Sequence, residues 1–199
     1  MLLYNSQVSG NCYKVRLLLA HLGIPFERQE MDVVDRSDRP GIIGDANPAL
    51  RVPTLILDDG RPLAESNAIM SYFAEGTDYL PTDRYDRAQV LQWLFFEQYQ
   101  HEPNVAVARF LVKVAPEGTA SPAFLAERQA ASHGAIGIMD RYLQTHEWFA
   151  AGRYSIADIA LYAYTHVAPE GGVALDDYAA VQAWMARVAA QPGHVTIDW

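Results

Sequence analysis

Cysteine is nearly absent from this sequence, which has Cys12 and no other among its 199 residues. A single cysteine allows no disulfide framework and no Cys-x-x-Cys dithiol, and it fits a reducing cytoplasm. Long apolar runs are missing too, because none approaches the roughly 20 residues that a membrane-spanning helix needs. The first residues also lack the basic start and apolar centre of a signal peptide. We therefore expect a cytoplasmic protein that does not enter a membrane.

Basic residues are scarce relative to acidic ones. The chain has 15 lysines and arginines against 24 aspartates and glutamates, for a formal charge of −9. Nucleic acids and anionic membranes bind basic surfaces that release their counterions, so neither is an expected partner. Half of the residues are hydrophobic and a fifth are charged, which is typical of a folded globular protein with a sizeable core.

The first 75 residues alternate between short strand-like and helix-like patterns. Apolar residues recur at helical spacing over 12–22, and Gly23 and Pro25 end that helix. Residues 53–64 predict a hairpin around an Asp-Gly turn. The other predicted elements are strands over 1–5 and 26–33 and helices over 39–46 and 66–74. The order βαβ, α, ββα predicts a mixed sheet with helices on both faces.

Beyond a linker at 76–83, every strong pattern is helical. The predicted helices cover 84–113, with a bend near Pro103, then 123–145, 155–168 and 177–190. The sequence therefore predicts an α/β domain over 1–76 followed by an all-α domain over 84–199.

The stretch Ser9-Gly-Asn-Cys-Tyr-Lys-Val15 lies where the first strand meets the first helix. The first N–H groups of a helix are unpaired and carry partial positive charge, so an anion such as a thiolate is stabilised there. Ser9 and Asn11 can each donate a hydrogen bond to that anion and lower the pKa of its thiol. Alternatively, either residue simply caps the helix. Cys12 is either a low-pKa nucleophile or a small buried side chain.

Two further segments carry polar or backbone groups that can bind a peptide. If the Val52–Pro53 peptide bond is cis, the backbone N–H and C=O of Val52 are exposed and can pair with an extended peptide. Ser66 is predicted as the N-cap of a helix, with Glu65 just outside it, so the pair can hold an amino-acid head group. Arg51 can pair with a second carboxylate. The plain alternatives are an edge-strand proline, an ordinary cap and a solubilising arginine.

The helical half offers fewer chemical signals. Ser155-Ile-Ala-Asp158 is a capping box, which we interpret as structural. The six histidines show no pair at metal-binding spacing on one helix face, so no metal is expected. His101 interrupts a long helix and either faces a cleft or packs inside.

The order of these motifs resembles the cytosolic glutathione transferase family over essentially the whole chain. The resemblance rests on a serine at the first strand–helix junction, Asn-Pro-x-x-Arg-Val-Pro-x-Leu at 47–55, Glu65-Ser66 before a helix, and the Ser155–Asp158 box. It implies a thioredoxin-like N-terminal domain, a C-terminal helical domain and a twofold homodimer. The implied activity is conjugation of glutathione, the substrate, to small hydrophobic electrophiles in detoxification.

The resemblance also implies a role for each matching residue. In serine-type members, including bacterial ones, the serine at the position of Ser9 hydrogen-bonds the glutathione sulfur. Val52, before a cis-Pro53, pairs with the cysteinyl backbone. Glu65 and Ser66 hold the γ-glutamyl end, and Arg51 stands where many members place a lysine or glutamine near the glycine carboxylate.

Two departures from the family pattern affect this interpretation. The family often has glycine at the position of Leu50, so the loop there is expected to differ in shape. Ser9-Gly-Asn11 also resembles the Thr-x-Asn pattern of bacterial members that reduce disulfides or peroxides with glutathione, where the asparagine shares or takes over the sulfur contact. Ser9 and Asn11 are therefore joint catalytic candidates, and Cys12 is a minor one.

The electrophile is expected to bind across the cleft between the two domains. The predicted pocket combines the loop from Gln7 to Gly10 with polar groups from Tyr99, His101 and Asn104. The alternatives to a conjugating enzyme are a glutathione-dependent disulfide reductase or peroxidase, and a non-catalytic binding module of the same fold.

Overall fold

A computed structural model describes all 199 residues and divides them into two compact units. The first unit contains Met1–Glu75 together with Pro192–Trp199, and the second contains Gly76–Gln191. The boundary between Glu75 and Gly76 lies at the start of the linker predicted from the sequence. The final eight residues differ from the sequence interpretation, because they belong to the α/β unit and not to the helical one.

A four-stranded mixed sheet organises the first unit, with strand order β2-β1-β3-β4. The strands are β1 (Leu2–Asn5), β2 (Glu27–Glu30), β3 (Thr54–Ile56) and β4 (Pro62–Ala64). Strands β1 and β2 are parallel, as a β-helix-β crossover requires, whereas β3 and β4 form the antiparallel hairpin around the predicted Asp-Gly turn. Strand β1 pairs with both β2 and β3 and is therefore a central strand. The loop that follows its carboxyl end carries Ser9.

Three helices accompany this sheet: α1 (Gly10–His21), α2 (Arg39–Ile43) and α3 (Ser66–Ala74). The core joins both layers, because buried side chains of β1 and β3 pack with side chains of α1 and α3. Its members are Leu3, Val15, Leu19, Leu55 and Ile69. This shared core fixes the N-terminal ends of α1 and α3 relative to the sheet.

The final segment, Pro192–Trp199, is bound to α1 and to the loop before it by hydrogen bonds to its backbone carbonyls. Tyr13 Oη donates to Val195 O at 2.7 Å, and the buried Arg16 donates to Ile197 O at 2.7 Å. Arg16 also donates to Asn5 Oδ1 at 2.6 Å. Periodicity along the sequence could not reveal these contacts, because the partners are about 180 residues apart.

The second unit is helical and contains α4 (Arg84–Phe96), α5 (Glu102–Arg109), α6 (Pro122–Leu143), α7 (Ile156–Thr165) and α8 (Ala179–Ala189). Where the sequence predicted one helix over 84–113 with a bend near Pro103, the structure has two helices joined by a π-helical segment, Glu97–His101. Pro103 lies in the first turn of α5, where its missing N–H costs little. A second π-helical segment, Phe110–Val114, follows α5, and a 3₁₀ turn, Ala168–Gly171, follows α7.

The capping box at the start of α7 is the polar centre of the second unit. Asp158 is fully buried and its carboxylate accepts four hydrogen bonds: from Ser155 N and Oγ, from Phe149 N and from Trp184 Nε1, over 2.9–3.2 Å. The capping box predicted from the sequence is therefore present. Its aspartate also links α7 to Trp184 on α8 and to the backbone at Phe149. Burial nevertheless raises the pKa of Asp158 to about 6.

No helix of the structure is both long and apolar enough to cross a bilayer.

Candidate active site

Ser9 is the N-cap of α1. Its backbone is extended, and its Oγ accepts a hydrogen bond from Cys12 N at 3.3 Å. A hydroxyl has two lone pairs and one proton, so a serine that accepts the helix N–H still has a proton to donate. The structural role and the catalytic role considered for Ser9 are therefore compatible. The first turn of α1 contains no acidic residue, so the partial positive charge at this helix end is not opposed from within the helix.

Cys12 lies in the first turn of α1, three residues after Ser9, and is fully buried. Its Sγ accepts a hydrogen bond from Ser6 N at 3.3 Å and interacts with the Ser9 side chain. Burial raises the pKa of the Cys12 thiol to about 11, although its hydrogen bonds with Ser9 and Ser6 lower it in part. At neutral pH the side chain is a protonated thiol, so the structure favours the buried role of Cys12 over the nucleophilic one.

We expect iodoacetamide to leave Cys12 unmodified in the folded protein at neutral pH, because the reagent needs an exposed thiolate. Mass spectrometry of the intact protein would measure the modification over time. Protein unfolded in urea is the control, and it should be modified completely. Rapid modification of the folded protein would show that the thiol is accessible and reactive.

The loop 47–53 is held by the buried side chain of Asn47. Its Nδ2 donates to Arg51 O at 3.1 Å and to Thr54 Oγ1 at 2.9 Å, and its Oδ1 accepts from Ala49 N at 3.0 Å. Leu50 has a φ of 53°. This is the left-handed conformation, which glycine adopts easily and other residues rarely adopt. Leucine takes the backbone geometry that suits glycine.

An arginine missed in the sequence analysis supports this conformation of Leu50. Arg39 is buried and donates to Leu50 O at 2.8 Å and to Asp32 O at 2.6 Å. A guanidinium that bridges two carbonyls from different loops depends on the tertiary fold. The only sequence signal was an arginine beside a proline at the start of a weakly patterned helix.

The peptide bond between Val52 and Pro53 is cis, as the resemblance implies. Val52 is half-buried, and its backbone N–H and C=O make no hydrogen bond within the chain. Arg51 is exposed next to it, while its carbonyl is held by Asn47 and by Thr54 Oγ1 at 2.7 Å. This segment therefore offers a backbone donor, a backbone acceptor and a cation side by side.

Glu65 and Ser66 differ by one position from the sequence prediction. Glu65 occupies the N-cap position of α3 and Ser66 is its first helical residue, so the prediction of Ser66 as the N-cap is wrong. Glu65 has a φ of 69°, which is unfavourable for any residue except glycine. The side chain of Glu65 is exposed, whereas Ser66 is buried. Backbone strain of this kind is concentrated at functional sites.

Asn11 and Ser66 are brought together by the packing of α1 against α3. Ser66 Oγ donates to Asn11 Oδ1 at 3.3 Å, although the two residues are 55 positions apart. The fully buried Lys14, which the sequence analysis did not select, donates from Nζ to Ser66 Oγ at 3.4 Å. Lysine is rarely buried, but nothing in its local sequence distinguished this one from an exposed lysine on an amphipathic helix.

The residues predicted to contact the electrophile lie in different environments. Gln7 is half-buried and donates from Nε2 to Ile197 O, and Gly10 opens α1 as a buried residue. Tyr99 is 82% exposed. His101 is fully buried, with Nε2 2.9 Å from Thr165 Oγ1, so the predicted contact at this position has no structural support. Asn104 is half-buried and bonded to Gln100 O and to an Arg128 guanidinium nitrogen.

No group of three or more His, Cys, Asp or Glu side chains is arranged to hold a metal ion.

Comparison with known proteins relates both units to one family. Residues 8–75 match the family model "Glutathione S-transferase, N-terminal domain", and residues 102–192 match "Glutathione S-transferase, C-terminal domain". The crystal structure of a possible glutathione S-transferase from Rhodopseudomonas palustris is 44% identical in sequence. It superposes with a TM-score of 0.94 over 100% of this chain and 90% of that one. The chain belongs to the glutathione S-transferase family.

Family membership confirms the predicted fold, a thioredoxin-like unit joined to a helical unit. The curated relatives of this glutathione S-transferase chain differ in named activity. Glutathione S-transferase 2 of Anopheles gambiae is 28% identical, with 93% of this chain and 88% of the relative covered. The disulfide-bond oxidoreductase YfcG of Escherichia coli is 26% identical, with 92% of this chain and 87% of the relative covered.

Proposed function

We propose that the protein converts the thiol of glutathione to a thiolate and transfers it to small hydrophobic electrophiles. The observation that carries this proposal is the position of the Ser9 hydroxyl, which caps the N-terminal end of α1 as a hydrogen-bond acceptor and has one proton that it can donate to the glutathione sulfur. Membership of the glutathione S-transferase family supports glutathione as the thiol substrate.

The proposed chemistry begins with loss of the glutathione thiol proton to solvent. Ser9 and Asn11 donate hydrogen bonds to the resulting thiolate, and the N-terminal end of α1 adds partial positive charge. The thiolate then attacks the electrophilic carbon. A carbon–sulfur bond forms, and the leaving group departs with the electron pair of the bond that breaks. The Cys12 thiol stays protonated beside this site and therefore adds no competing negative charge.

The tripeptide is proposed to extend from this sulfur position toward two ends. Val52 supplies its backbone N–H and C=O to the cysteinyl residue, which adds a short strand-like pairing. Glu65 accepts from the γ-glutamyl ammonium, while Ser66 and the first N–H groups of α3 bind the γ-glutamyl carboxylate. Arg51 pairs with the glycine carboxylate. Local cations and helix ends are needed because the chain as a whole carries a charge of −9.

On the electrophile side we propose contacts from Gln7, Gly10, Tyr99 and Asn104. The exposed phenol of Tyr99 is the strongest of these candidates, because its ring offers apolar area and its hydroxyl offers a polar end. Apolar pockets discriminate by only about 1–3 kcal/mol per methylene-sized contact, so we propose that the protein accepts a range of small hydrophobic electrophiles.

A second function is favoured by Asn11 and by the relative named a disulfide-bond oxidoreductase. In this reaction the glutathione thiolate attacks a mixed disulfide between glutathione and another thiol. The products are oxidised glutathione and the released thiolate, so two electrons pass to the substrate. A peroxide would be reduced similarly, with a second glutathione completing the oxidised product. A third possibility, a non-catalytic glutathione-binding module, retains the tripeptide contacts without turnover.

We also propose that the protein is a homodimer that acts in detoxification in the cytoplasm. Large apolar side chains exposed on α3 and α4 support a protein–protein contact: Tyr72, Tyr85, Leu91 and Phe95.

The three functions predict different results with purified protein. We expect glutathione to be bound, to raise the unfolding temperature, and to show the ultraviolet absorbance of a thiolate near neutral pH. We also expect turnover of 1-chloro-2,4-dinitrobenzene, which releases chloride. Turnover of a glutathione mixed disulfide without conjugation would favour the reductase, and binding without either turnover would favour the module. Absence of binding would refute all three.

A further inference from the structure

Arg16 is a fully buried arginine on α1 that connects the carboxyl end of β1 to the final segment of the chain. Its Nη1 donates to Asn5 Oδ1 at 2.6 Å and to Ser6 O at 3.4 Å. Its Nη2 donates to Gln7 O at 3.3 Å and to Ile197 O at 2.7 Å. A guanidinium has two N–H groups on each of these nitrogens, so each of the four has an acceptor. Three of the four acceptors belong to consecutive residues that lead into the proposed sulfur site.

The backbone of Ser6 is held by two side chains of α1. Its N–H donates to Cys12 Sγ at 3.3 Å, and its carbonyl accepts from Arg16. Cys12 and Arg16 are four residues apart and therefore share a helix face. The same Ser6 carbonyl accepts from Ser9 N at 3.0 Å, and its two lone pairs allow both bonds. Arg16 thus fixes to α1 the carbonyl that receives the N–H of Ser9.

The start of this loop is fixed by a second route. A guanidinium only donates and a carboxylate only accepts, so Asn5 directs Oδ1 to Arg16 and Nδ2 to Glu30. The other carboxylate oxygen of Glu30 accepts from Gln7 N at 2.9 Å. Residues 5–7 are therefore held through a side chain and through their backbone, and Arg16 supplies three of these contacts.

The position of this loop bears on the sulfur chemistry, because donors stabilise a developing anion best when they are already in place. Ser9 is fixed by the turn to Ser6 O and by the cap that its hydroxyl makes with Cys12 N. If the loop moved relative to α1, the hydroxyl would leave the position from which it is proposed to donate. A misplacement of about 1 Å can reduce a reaction rate by about 100-fold.

We propose that Arg16 is a positioning residue for thiol activation. By holding the carbonyl of Ser6, it fixes the turn that carries Ser9 and keeps the Ser9 hydroxyl at the proposed position of the glutathione sulfur. This assignment rests on the proposed function, because it requires glutathione to bind with its sulfur at the N-terminal end of α1.

Arg16 also has a structural task, since it satisfies buried acceptors, so a loss of stability alone does not identify the positioning role. Two other measurements do. The pKa of bound glutathione, from its thiolate absorbance, reports stabilisation of the sulfur. The affinity for S-methylglutathione, which has no thiol proton, reports the contacts of the tripeptide. Those contacts are proposed for residues 51–53 and 65–66, to which Arg16 makes no hydrogen bond.

The test compares wild type with Arg16→Met, Ser9→Ala and the double variant. We expect Arg16→Met to raise the thiol pKa by about one unit, which is about tenfold less thiolate near neutral pH. Its affinity for S-methylglutathione should be unchanged. Ser9→Ala should also raise the thiol pKa, and the double variant should be no worse than Ser9→Ala alone, because Arg16 acts through the Ser9 hydroxyl.

Arg28 provides a matched control. Its guanidinium donates to Trp199 O at 2.7 Å and lies 5.0 Å from the centre of the Trp199 ring. It therefore binds the same final segment that Arg16 reaches through Ile197 O, but it does not hold the carbonyl of Ser6. Arg28→Met should leave the thiol pKa unchanged. An equal rise in Arg28→Met would assign the effect to loosening of the final segment and overturn the proposal.

A second substitution covers the case in which Arg16→Met does not fold. Arg16→Lys keeps the positive charge and most of the side-chain length, but a single ammonium nitrogen cannot reproduce the fork that reaches four acceptors. We expect the thiol pKa in Arg16→Lys to rise nearly as far as in Arg16→Met. A wild-type pKa in Arg16→Lys would show that charge is sufficient and would overturn the positioning role.

Three further results separate this assignment from the proposed function. An unchanged thiol pKa in Arg16→Met, or an equal further rise when Arg16→Met is added to Ser9→Ala, would refute the role of Arg16 alone. Loss of S-methylglutathione binding in Arg16→Met would likewise refute it, because the whole site would then be disturbed. If wild type neither binds glutathione nor shows a thiolate, both the proposed function and the role of Arg16 are refuted.

Discussion

Replacing Ser9 by alanine is expected to lower kcat/KM for conjugation by about 10²- to 10³-fold, the usual effect of removing one donor from a developing or stabilised anion. The pKa of bound glutathione should rise, because the hydrogen bond from Ser9 favours the charged form of the thiol. The measurements are steady-state kinetics across pH and the thiolate absorbance of the glutathione complex. Loss of activity should be smaller at high pH, where the thiol ionises without assistance.

The capping role of Ser9 must be separated from this chemical role. Ser9→Ala removes both, at a cost in stability of about 0.5–2 kcal/mol, whereas Ser9→Gly removes the hydroxyl at a cost of only a few tenths. Ser121 is a matched control, because it caps α6 in the same manner, with Oγ accepting from Phe124 N at 3.2 Å. Ser121→Ala should lose similar stability and retain activity.

The outcomes for Ser9 and Asn11 also distinguish the proposed reactions. If Ser9→Thr is active and both Ser9→Ala and Ser9→Gly are inactive, the hydroxyl is required. If both hydroxyl-deletion variants keep a low thiol pKa while Asn11→Ala loses it, activation depends on Asn11 and conjugation through Ser9 is contradicted. That second pattern would favour the disulfide reductase.

Replacing Asp158 by alanine is expected to destabilise the helical unit by about 3–5 kcal/mol. The substitution leaves four donors without their acceptor in a fully buried position, and such losses are among the largest that single substitutions cause. Urea unfolding followed by tryptophan fluorescence would measure the change, because Trp93, Trp148 and Trp184 all lie in this unit.

Asp83 offers the matched control for Asp158. It caps α4 through hydrogen bonds from Tyr85 N and Asp86 N at 2.9 and 3.0 Å, but it is exposed. Asp83→Ala should cost about 0.5–2 kcal/mol. Equal losses of stability in Asp158→Ala and Asp83→Ala would show that the buried network stabilises the protein no more than an ordinary helix cap does.

The raised pKa of Asp158 adds a dependence on pH. Its value of about 6 exceeds the ordinary 3.8, so between these values the folded protein holds a proton that the unfolded chain has released. The stability that this group contributes is therefore complete below about pH 4 and falls as pH rises to about 6, by roughly 3 kcal/mol. The stability difference between wild type and Asp158→Asn should follow that curve. A difference independent of pH would contradict the raised pKa.

Local patterns predicted much of the fold. Helices α1, α3 and α7 and the hairpin follow from apolar spacing, Gly23, the Asp-Gly turn and the Ser155–Asp158 box, each of which acts within a few residues. The assignment of Ser66 as the cap was wrong because Glu65 takes that position with a positive φ, which a non-glycine residue rarely adopts and which no local sequence rule anticipates. The π-helical segment before α5 was equally invisible, since its residues fit an ordinary helix.

The site was predictable to the extent that its residues belong to local motifs. Ser9, Val52 and Glu65 stand at element boundaries that the sequence reveals. The supporting residues Lys14 and Arg39 were missed, because an isolated lysine or arginine suggests an exposed side chain until the fold buries it. The error for His101 was the opposite one. The sequence analysis placed it in the predicted pocket, whereas the fold buries it against Thr165, which is 64 residues away along the chain.

The return of Pro192–Trp199 to the first unit has a consequence for biosynthesis. Tyr13 and Arg16 leave the ribosome about 180 residues before the carbonyls that they bind. The α/β unit therefore cannot complete its hydrogen bonding until translation of the helical unit has finished, although its sheet is available much earlier. The same Arg16 also donates to the carbonyls of Ser6 and Gln7 in the loop that precedes Ser9, so the N-terminal end of α1 gains its last contacts only after residues 192–199 have been synthesised.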